Sequence, residues 1–407
     1  MNALDFDRLE YAAGRVRQFQ TVGALHSAQG AITATIPAGI GQLCRVEGRD
    51  GRKSLAEVIG FNGEYVQIMP FSHQTNLQRG DRVTDLIRPF EIPVGAGLLG
   101  RVINCLGEPI DNLGPLRQVR SIPLQVNAPP PMSRQPIEKT FVTGQKAIDS
   151  LLTLGVGQRV GLMAGSGVGK STLLGEIAKF ASADLNVVAL IGERGREVLP
   201  FIKDSLGEAG LRRSVVVVSL ADETPLARVR AGETAVAIAD SFRAAGKQVL
   251  LMFDSLTRWA MAQRELGLML NEPPTARGYT PSVFQKLAVL LEQLGAGHIV
   301  LNRALANAGH FPAIDVLASI SRLFLEITDK NQQAQARTVR QVLATYREVL
   351  DLLQVGAYQK GAVAATDRAI EAYPKVQAFL RQAVNQPVSW KESQLQLAKL
   401  AKLCGMA

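Results

Sequence analysis

The fold of this chain is decided by Ala164-Gly165-Ser166-Gly167-Val168-Gly169-Lys170-Ser171. An apolar run typical of a strand, residues 160–164, comes before it, and a segment with apolar side chains at helical spacing comes after it. Glycines let successive backbone N–H groups point inward, and the N-terminus of the following helix adds its positive dipole end. The stretch is therefore interpreted as a phosphate-binding loop between a strand and a helix.

Two side chains of this loop carry specific chemistry. Lys170 can reach the β- and γ-phosphates of a nucleotide, and the Ser171 hydroxyl is a ligand for Mg²⁺. The alternative, a glycine-rich turn that binds nothing, fits the strand–helix context less well. The predicted nucleotide-binding residues are Gly165, Ser166, Gly167, Val168, Gly169, Lys170, Ser171 and Thr172.

Two acidic residues follow apolar strands further along the chain. Residues 249–253 end in Asp254, which downstream of a phosphate loop is typical of a Walker B strand whose carboxylate holds the Mg²⁺ shell, partly through water. Glu193 follows the apolar run 187–191, and ligands bind at the carboxyl ends of parallel strands. Glu193 is predicted to polarise a water for attack on the γ-phosphate, although in isolation such a residue is more often a solvated loop acid.

Apolar periodicity predicts a multidomain α/β fold. Closely spaced strands with turns at Asp50-Gly51 and Asn62-Gly63 predict a small β-barrel near the N-terminus. Later in the chain, apolar strands alternate with helices, which predicts a RecA-like parallel sheet with helices on both faces. The predicted parts are residues 1–90 (barrel), 91–136 (connecting segment, rich in proline near its end), 137–328 (nucleotide-binding domain) and 329–407 (C-terminal helical domain).

The composition is that of a globular protein. The 407 residues include 47% hydrophobic and 20% charged residues, enough for several buried cores. Three cysteines without a CxxC pair argue against a disulfide framework and against a zinc site. The first residues lack a signal-peptide pattern, and no apolar run approaches the ~20 residues of a membrane span, so a cytoplasmic location is expected. The net charge of +9 suits anionic partners without choosing among them.

Taken in order, the motifs resemble the ATPases of type III protein export systems, relatives of the rotary ATP synthase alpha and beta subunits. The form GERGRE at residues 192–197 favours the export branch over the rotary catalytic subunit, and GSGVGKS favours the flagellar members over the injectisome members. The resemblance is carried by GQRVGLMAGSGVGKS (157–171), ALIGERGREV (189–198), LLMFDSLTRWAMAQRE (250–265), EPPTARGYTPSVF (272–284) and PAIDVLASISR (312–322).

The resemblance implies roles for matching residues. Glu193 would be the catalytic carboxylate, acting with Lys170. Arg322 would be the arginine finger, which contacts the γ-phosphate bound by a neighbouring subunit. Phe311 would lie against adenine, although the sequence alone favours a plain core residue there. The implied activity is Mg²⁺-dependent ATP hydrolysis that drives flagellar protein export.

The resemblance also implies an assembly. Family members work as homohexamers at the inner face of the cytoplasmic membrane and have no nucleic-acid partner. The implied partners are a stator-like regulator, a coiled-coil stalk protein, export chaperone–substrate complexes and the membrane export gate.

The sequence departs from the family after Gly295. Relatives continue with a few tens of residues, including an apolar strand between the phosphate-loop strand and the Walker B strand, whereas here Gly295-Ala296-Gly297 runs straight into residues 298–303. Removing that strand leaves its neighbours about two spacings of ~4.8 Å apart with unpaired backbone groups. Unless another segment fills the position, the sheet must repack and the Lys170–Asp254 distance must change. Natural divergence, a deletion and omitted residues all remain possible origins.

Three other functions remain open. An injectisome ATPase differs only in its secretion system. A hexameric nucleic-acid translocase would use the same core, but the predicted barrel offers only isolated aromatics, Phe61 and Tyr65, for stacking bases. A non-hydrolysing nucleotide-binding scaffold is suggested by the missing strand. Five residues argue against this scaffold, because a protein that does not hydrolyse nucleotide has no chemical need for all of them: Lys170, Ser171, Glu193, Asp254 and Arg322.

Overall fold

A computed structural model of the chain describes residues 21–27, 32–73, 77–124, 132, 136–292 and 297–405. The prolines at 129–131, which the sequence predicts to lie in an extended linker, are outside these ranges. Within the described ranges, no helix is both long enough and apolar enough to cross a membrane.

The N-terminal strands close into a six-stranded barrel, as predicted, in the order β1-β2-β5-β4-β3-β6. Both predicted turns join consecutive antiparallel strands, and each places its glycine at positive φ, 78° for Gly51 and 60° for Gly63. Only glycine takes up that geometry without strain, which is why the two dipeptides mark the hairpins. The barrel strands are β1 (Val22–Ser27), β2 (Ile32–Thr35), β3 (Gln42–Glu47), β4 (Lys53–Asn62), β5 (Tyr65–Pro70) and β6 (Arg82–Pro89).

Short strands connect the barrel to the rest of the molecule. β7 (Glu91–Val94) pairs antiparallel with β9 (Arg120–Pro123), and β10 (Thr140–Phe141) pairs antiparallel with β11 (Leu154–Gly155). Between them, β8 (Val102–Ile103) joins the edge of the central sheet. The connecting segment therefore contributes a strand to the nucleotide-binding region.

The central parallel strands form two separate pieces. One piece has the order β15-β13-β14-β8, with β13 (Leu185–Glu193), β14 (Ser214–Leu220) and β15 (Val249–Asp254). The other has the order β12-β16-β17, with β12 (Gly161–Ala164), β16 (Gly297–Leu301) and β17 (Ile320–Ser321). Among the described residues no strand joins β12 to β15, which agrees with the gap predicted from the sequence.

Helices cover both pieces. Thr224-Pro225, a capping residue followed by proline, predicts a helix start, and a helix does begin there with the Thr224 side chain accepting a hydrogen bond from Ala227 N. The helices are α1 (Lys146–Leu151), α2 (Lys170–Phe180), α3 (Gly195–Pro200), a π-helix (Phe201–Leu206), α4 (Gly207–Arg212), α5 (Pro225–Ala244), α6 (Leu256–Met269), α7 (Pro281–Glu292), α8 (Arg303–Asn307), α9 (Phe324–Ile327), α10 (Lys330–Gln354), α11 (Ala364–Leu380) and α12 (Trp390–Leu403).

The C-terminal helices are longer than predicted. The sequence pattern predicts a helix over residues 338–353; in the structure this helix begins eight residues earlier, as α10, where Asp329 caps it. The sequence pattern also predicts two helices, over 367–372 and 374–384. In the structure they are one continuous helix, α11, which contains Pro374 and ends at Leu380. The prediction was wrong here because proline was read as a break, although a buried apolar face on both sides of it keeps the helix packed.

The two pieces of the sheet belong to different hydrophobic cores. β13 contributes Leu185, Val187, Ala189 and Ile191 to a core shared with α5, α6 and the base of the barrel. β16 contributes Ile299 and Leu301 to a second core that includes α1 and the C-terminal helices. The strand missing from the middle of the sheet therefore coincides with the boundary between two packed units.

Candidate nucleotide site

The predicted phosphate loop lies in an exposed turn between β12 and α2. Gly167 and Gly169 have positive φ, 75° and 87°, so each takes a backbone conformation that a larger residue would adopt only with strain. No described side chain caps the start of α2. The first N–H groups of this helix are therefore available to an anion.

Lys170 and Asp254 meet at this turn. Lys170 is the first residue of α2, and its Nζ lies 2.5 Å from Oδ1 of Asp254, the last residue of β15. The Asp254 side chain is only 8% exposed, against 30% for Lys170. The sequence predicted that the gap would alter this distance, which stays a prediction; in the structure the two groups are in direct contact across the two pieces of the sheet.

Glu193 ends β13, the neighbour of β15. In the β13–β15 pairing Leu190 lies opposite Asp254. Glu193 therefore lies beyond the same carboxyl end of the sheet as Asp254. Burial, a hydrogen bond with Glu197 and the negative charge of Asp254 together raise the pKa of Glu193. The positive charges of Arg258 and Lys170 oppose this rise. A partly desolvated carboxyl with a raised pKa is suited to orienting or deprotonating a water.

Arg258 was not predicted from the sequence. Its Nε lies 3.6 Å from Glu193 Oε1, and its side chain packs beside Gly192, where an added Cβ would come within 3.0 Å of it. A signal was available: Arg258 follows Asp254 by four residues, at the start of α6, which the Ser255 side chain caps. When a helix begins directly after a strand, its first turn lies at the carboxyl end of the sheet, where ligands bind.

Two residues after β16 complete the surroundings of the loop. The predicted adenine residue, Phe311, is 46% exposed, and a Cβ placed on Gly169 would lie 3.6 Å from its ring. Arg303 was not predicted; its guanidinium donates a hydrogen bond of 3.0 Å to the backbone oxygen of Ser166. Arg303 could have been predicted by the reasoning used for Glu193, since it closely follows β16, a strand that ends beside the loop.

The residues present fit a magnesium ion bound together with a nucleotide. The Ser171 side chain is exposed in the first turn of α2, and the Asp254 carboxylate lies nearby through its contact with Lys170. In the described part of the chain no group of three or more His, Cys, Asp or Glu side chains could hold a metal by itself. This donor set matches Mg²⁺, which is usually held by one or two protein oxygens and completed by phosphates and water.

Arg322 is not brought to this site. It follows β17, which pairs with the beginning of β16, Ser321 lying opposite Gly297. The phosphate loop follows the other end, where Ala164 of β12 lies opposite Leu301. Four strand residues at about 3.3 Å each separate the two ends by about 13 Å. Arg322 is exposed and, within the described ranges, has no ion pair.

Sequence comparisons match three family models along the chain. Residues 20–86 match the beta-barrel domain and residues 144–298 the nucleotide-binding domain of the ATP synthase alpha/beta family. Residues 328–399 match the T3SS EscN ATPase C-terminal domain. The flagellum-specific ATP synthase of Bacillus subtilis (strain 168) is 44% identical over 90% of this chain and 91% of its own length.

The chain belongs to the type III export ATPase family. A type 3 secretion system ATPase of Xanthomonas euvesicatoria is 42% identical over 89% of this chain and 90% of its own length. Among solved structures, the assembled ATPase EscN from the enteropathogenic E. coli type III secretion system has a TM-score of 0.85 and 37% identity, with 93% of this chain and 100% of that one covered. Flagellar and secretion-system relatives are thus similar to this export ATPase to nearly the same degree.

The alignment with the Bacillus subtilis relative is longer than the part of this export ATPase that it covers. The match to the Bacillus subtilis relative runs over 402 residues but covers 90% of the 407 residues here, about 366. About 36 aligned positions therefore have no counterpart in this chain. A shortfall of that size agrees with the few tens of residues predicted to be missing after Gly295.

Proposed function

We propose that this protein hydrolyses ATP to drive type III protein export, with flagellar export as the first candidate and injectisome secretion as the second. The observation that carries the proposal is the convergence of Lys170, Asp254 and Glu193 at the open start of α2. Phosphoryl transfer to water needs a cation on the phosphates, a metal-holding carboxylate and a group that orients the water. The three side chains supply these functions.

Each residue then has a step to perform. The backbone N–H groups of Gly165 to Thr172 bind the phosphates, and Lys170 leaves its contact with Asp254 to reach the γ-phosphate. Ser171 and Asp254 would hold Mg²⁺, which when bound neutralises charge on the phosphate oxygens. Glu193 orients the attacking water, and Arg258 fixes the carboxylate from 3.6 Å. Phe311 offers an exposed ring beside the loop for the base.

The position of Arg322 supports an oligomer. Because it lies a strand length from its own phosphate loop, it acts on the nucleotide of a neighbouring copy, in a homohexamer. A solved relative, the assembled ATPase EscN with its central stalk EscO, has a TM-score of 0.85 and 38% identity, and we extend a coiled-coil stalk to this protein. The stator-like regulator, the chaperone–substrate complexes, the export gate and a place at the inner face of the cytoplasmic membrane follow from the family alone.

The split sheet favours one alternative, a scaffold that binds nucleotide without turnover. Steady-state ATPase rate against protein concentration, measured beside Lys170→Ala and with sedimentation of the same samples, distinguishes the two. A rate that rises cooperatively as oligomers form, and that Lys170→Ala abolishes, supports the ATPase. Nucleotide binding without turnover, in samples that do form oligomers, supports the scaffold.

Arg303→Ala is expected to weaken nucleotide binding by about 10- to 100-fold, because the loss of a hydrogen bond made by a charged group usually has an effect of this size. In a planar trans peptide the Ser166 carbonyl and the Gly167 N–H point in opposite directions, so an arginine that fixes the carbonyl also aims the N–H. Equilibrium titration with a fluorescent ATP analogue measures the effect. Arg49→Ala, which removes an exposed arginine from the barrel, is the matched control. Equal affinities for the two variants would contradict this role.

A further inference from the structure

Two strands beside the nucleotide site have a partner on one edge only. β12 pairs with β16 along Gly161–Ala164, and β15 pairs with β13 along Val249–Asp254. Among the described residues neither strand has a partner on its other edge. An unpaired edge presents a row of N–H and C=O groups that is ready to pair with another chain.

The two free edges belong to one interrupted sheet. Both strands run toward the nucleotide site, and the contact between Lys170, just after β12, and Asp254 brings their carboxyl ends together. They are therefore parallel neighbours without direct pairing. We call the space between Gly161–Ala164 and Val249–Asp254 the slot. A strand placed there would meet one unpaired edge on each side, and pairing with either edge takes a spacing of about 4.8 Å.

Side-chain exposure shows what the slot would accept. In β13, which is paired on both sides, eight of nine residues are buried. In β15 only two of six are buried, and in β12 none of four, with Met163 55% exposed. Apart from Asp254 at its end, the slot is bounded by uncharged, mostly aliphatic residues. An occupant without charge and with aliphatic side chains on both faces matches it.

The chain's own connection at this point is too short to fill the slot. Only four residues separate the last residue of α7, Glu292, from the first of β16, Gly297. An additional parallel strand needs a crossover connection of a dozen or more residues. We propose that the slot binds one extended, uncharged aliphatic segment of another polypeptide, which adds parallel to β12 and β15. Strand addition of this kind takes its affinity from main-chain hydrogen bonds and its selectivity from the flanking side chains.

The test uses the full chain and a defined probe, an eight-residue peptide of alternating valine and isoleucine with a lysine at each end and a fluorescein label. Fluorescence anisotropy measures binding, and hydrogen exchange follows the amides of Gly161–Ala164 and Val249–Asp254. The expected result is saturable binding together with at least tenfold slower exchange in both strands. Nucleotide turnover is not needed for either readout, so the outcome is independent of the proposed ATPase activity.

Two controls separate strand addition from adhesion to an apolar surface. The same peptide N-methylated at alternate residues cannot pair along one edge, and its binding is expected to fall at least tenfold. Met163→Lys, at an exposed position in the slot, is expected to weaken binding similarly, whereas Leu113→Lys, 68% exposed and outside it, is not. Thermal melting checks that both variants fold.

Four results would overturn the proposal. They are the absence of binding, equal binding of the N-methylated peptide, equal binding by Met163→Lys, and full exchange protection of both strands before any peptide is added. The last would mean that the strands have closed on each other or that another part of the chain already fills the slot.

Discussion

Mixing two inactive variants, Arg322→Ala and Lys170→Ala, is expected to restore ATP turnover that neither shows alone. In the proposed hexamer Arg322 would serve a neighbouring subunit, because β17 pairs with the start of β16, about 13 Å (four strand residues) from the end of β16 beside the phosphate loop. Loss of such an arginine lowers kcat by about 1,000-fold or more. In a mixed hexamer, an intact Lys170 on one subunit meets an intact Arg322 on the next.

The size of the recovery can be stated in advance. At equal amounts and random assembly, about a quarter of the head-to-tail interfaces combine both intact residues, so turnover approaches about a quarter of the unmodified rate. Steady-state phosphate release against mixing ratio measures it. Arg337→Ala is the matched control, because it removes an exposed arginine of α10 from a groove that Ile320 and Ser321, the residues before Arg322, also line.

Three outcomes would contradict the role of Arg322 as an arginine finger for a neighbouring subunit. Turnover by Arg322→Ala alone would mean that the residue has no catalytic role. Failure of the mixture to recover, while sedimentation shows mixed hexamers, would place Arg322 at its own site or outside catalysis. Failure of Arg322→Ala to assemble would make it an interface residue instead.

Much of the fold was readable from local chemistry. Gly51 and Gly63 marked the barrel hairpins because tight turns need positive φ. The apolar runs within β13 and β14 are buried, as expected of strands covered on both faces. Pro374 was misleading, since its effect depends on the packing of the helix around it, which is a tertiary property.

The site was less completely predictable. Glu193 and Asp254 were predicted because each ends an apolar strand. Arg258 lies within the motif at residues 250–265, but neither it nor Arg303 was assigned a role, and their positions after strand ends connect them with the loop. The contact between Lys170 and Asp254 depends on how the two pieces of the sheet are positioned on either side of the slot. That arrangement is set by two separate cores and could not be read from either strand alone.

Glu193→Gln is expected to lower kcat by about 100- to 10,000-fold while nucleotide binding stays intact, because glutamine keeps the size of the side chain but does not orient or accept a proton from water as a carboxylate does. The unmodified enzyme should lose activity as pH falls through the pKa of Glu193. Since that pKa is raised, mainly by burial, the loss begins above the ordinary value for glutamate, about 4.3. Pre-steady-state phosphate release across pH measures both effects.

Glu197→Gln tests the cause of the raised pKa. The hydrogen bond with Glu197 raises the pKa of Glu193, whereas a glutamine amide donates to the charged carboxylate and favours it. The acid limb of the rate profile is therefore expected to move to lower pH in Glu197→Gln, with turnover kept at neutral pH, and to disappear in Glu193→Gln. If Glu193→Gln retains more than about a tenth of the rate, or keeps the acid limb of the unmodified enzyme, another group orients the water. In the proposed mechanism Asp254 holds Mg²⁺ once Lys170 has moved to the phosphates, so Glu193, held by Arg258, is the carboxylate that orients the water.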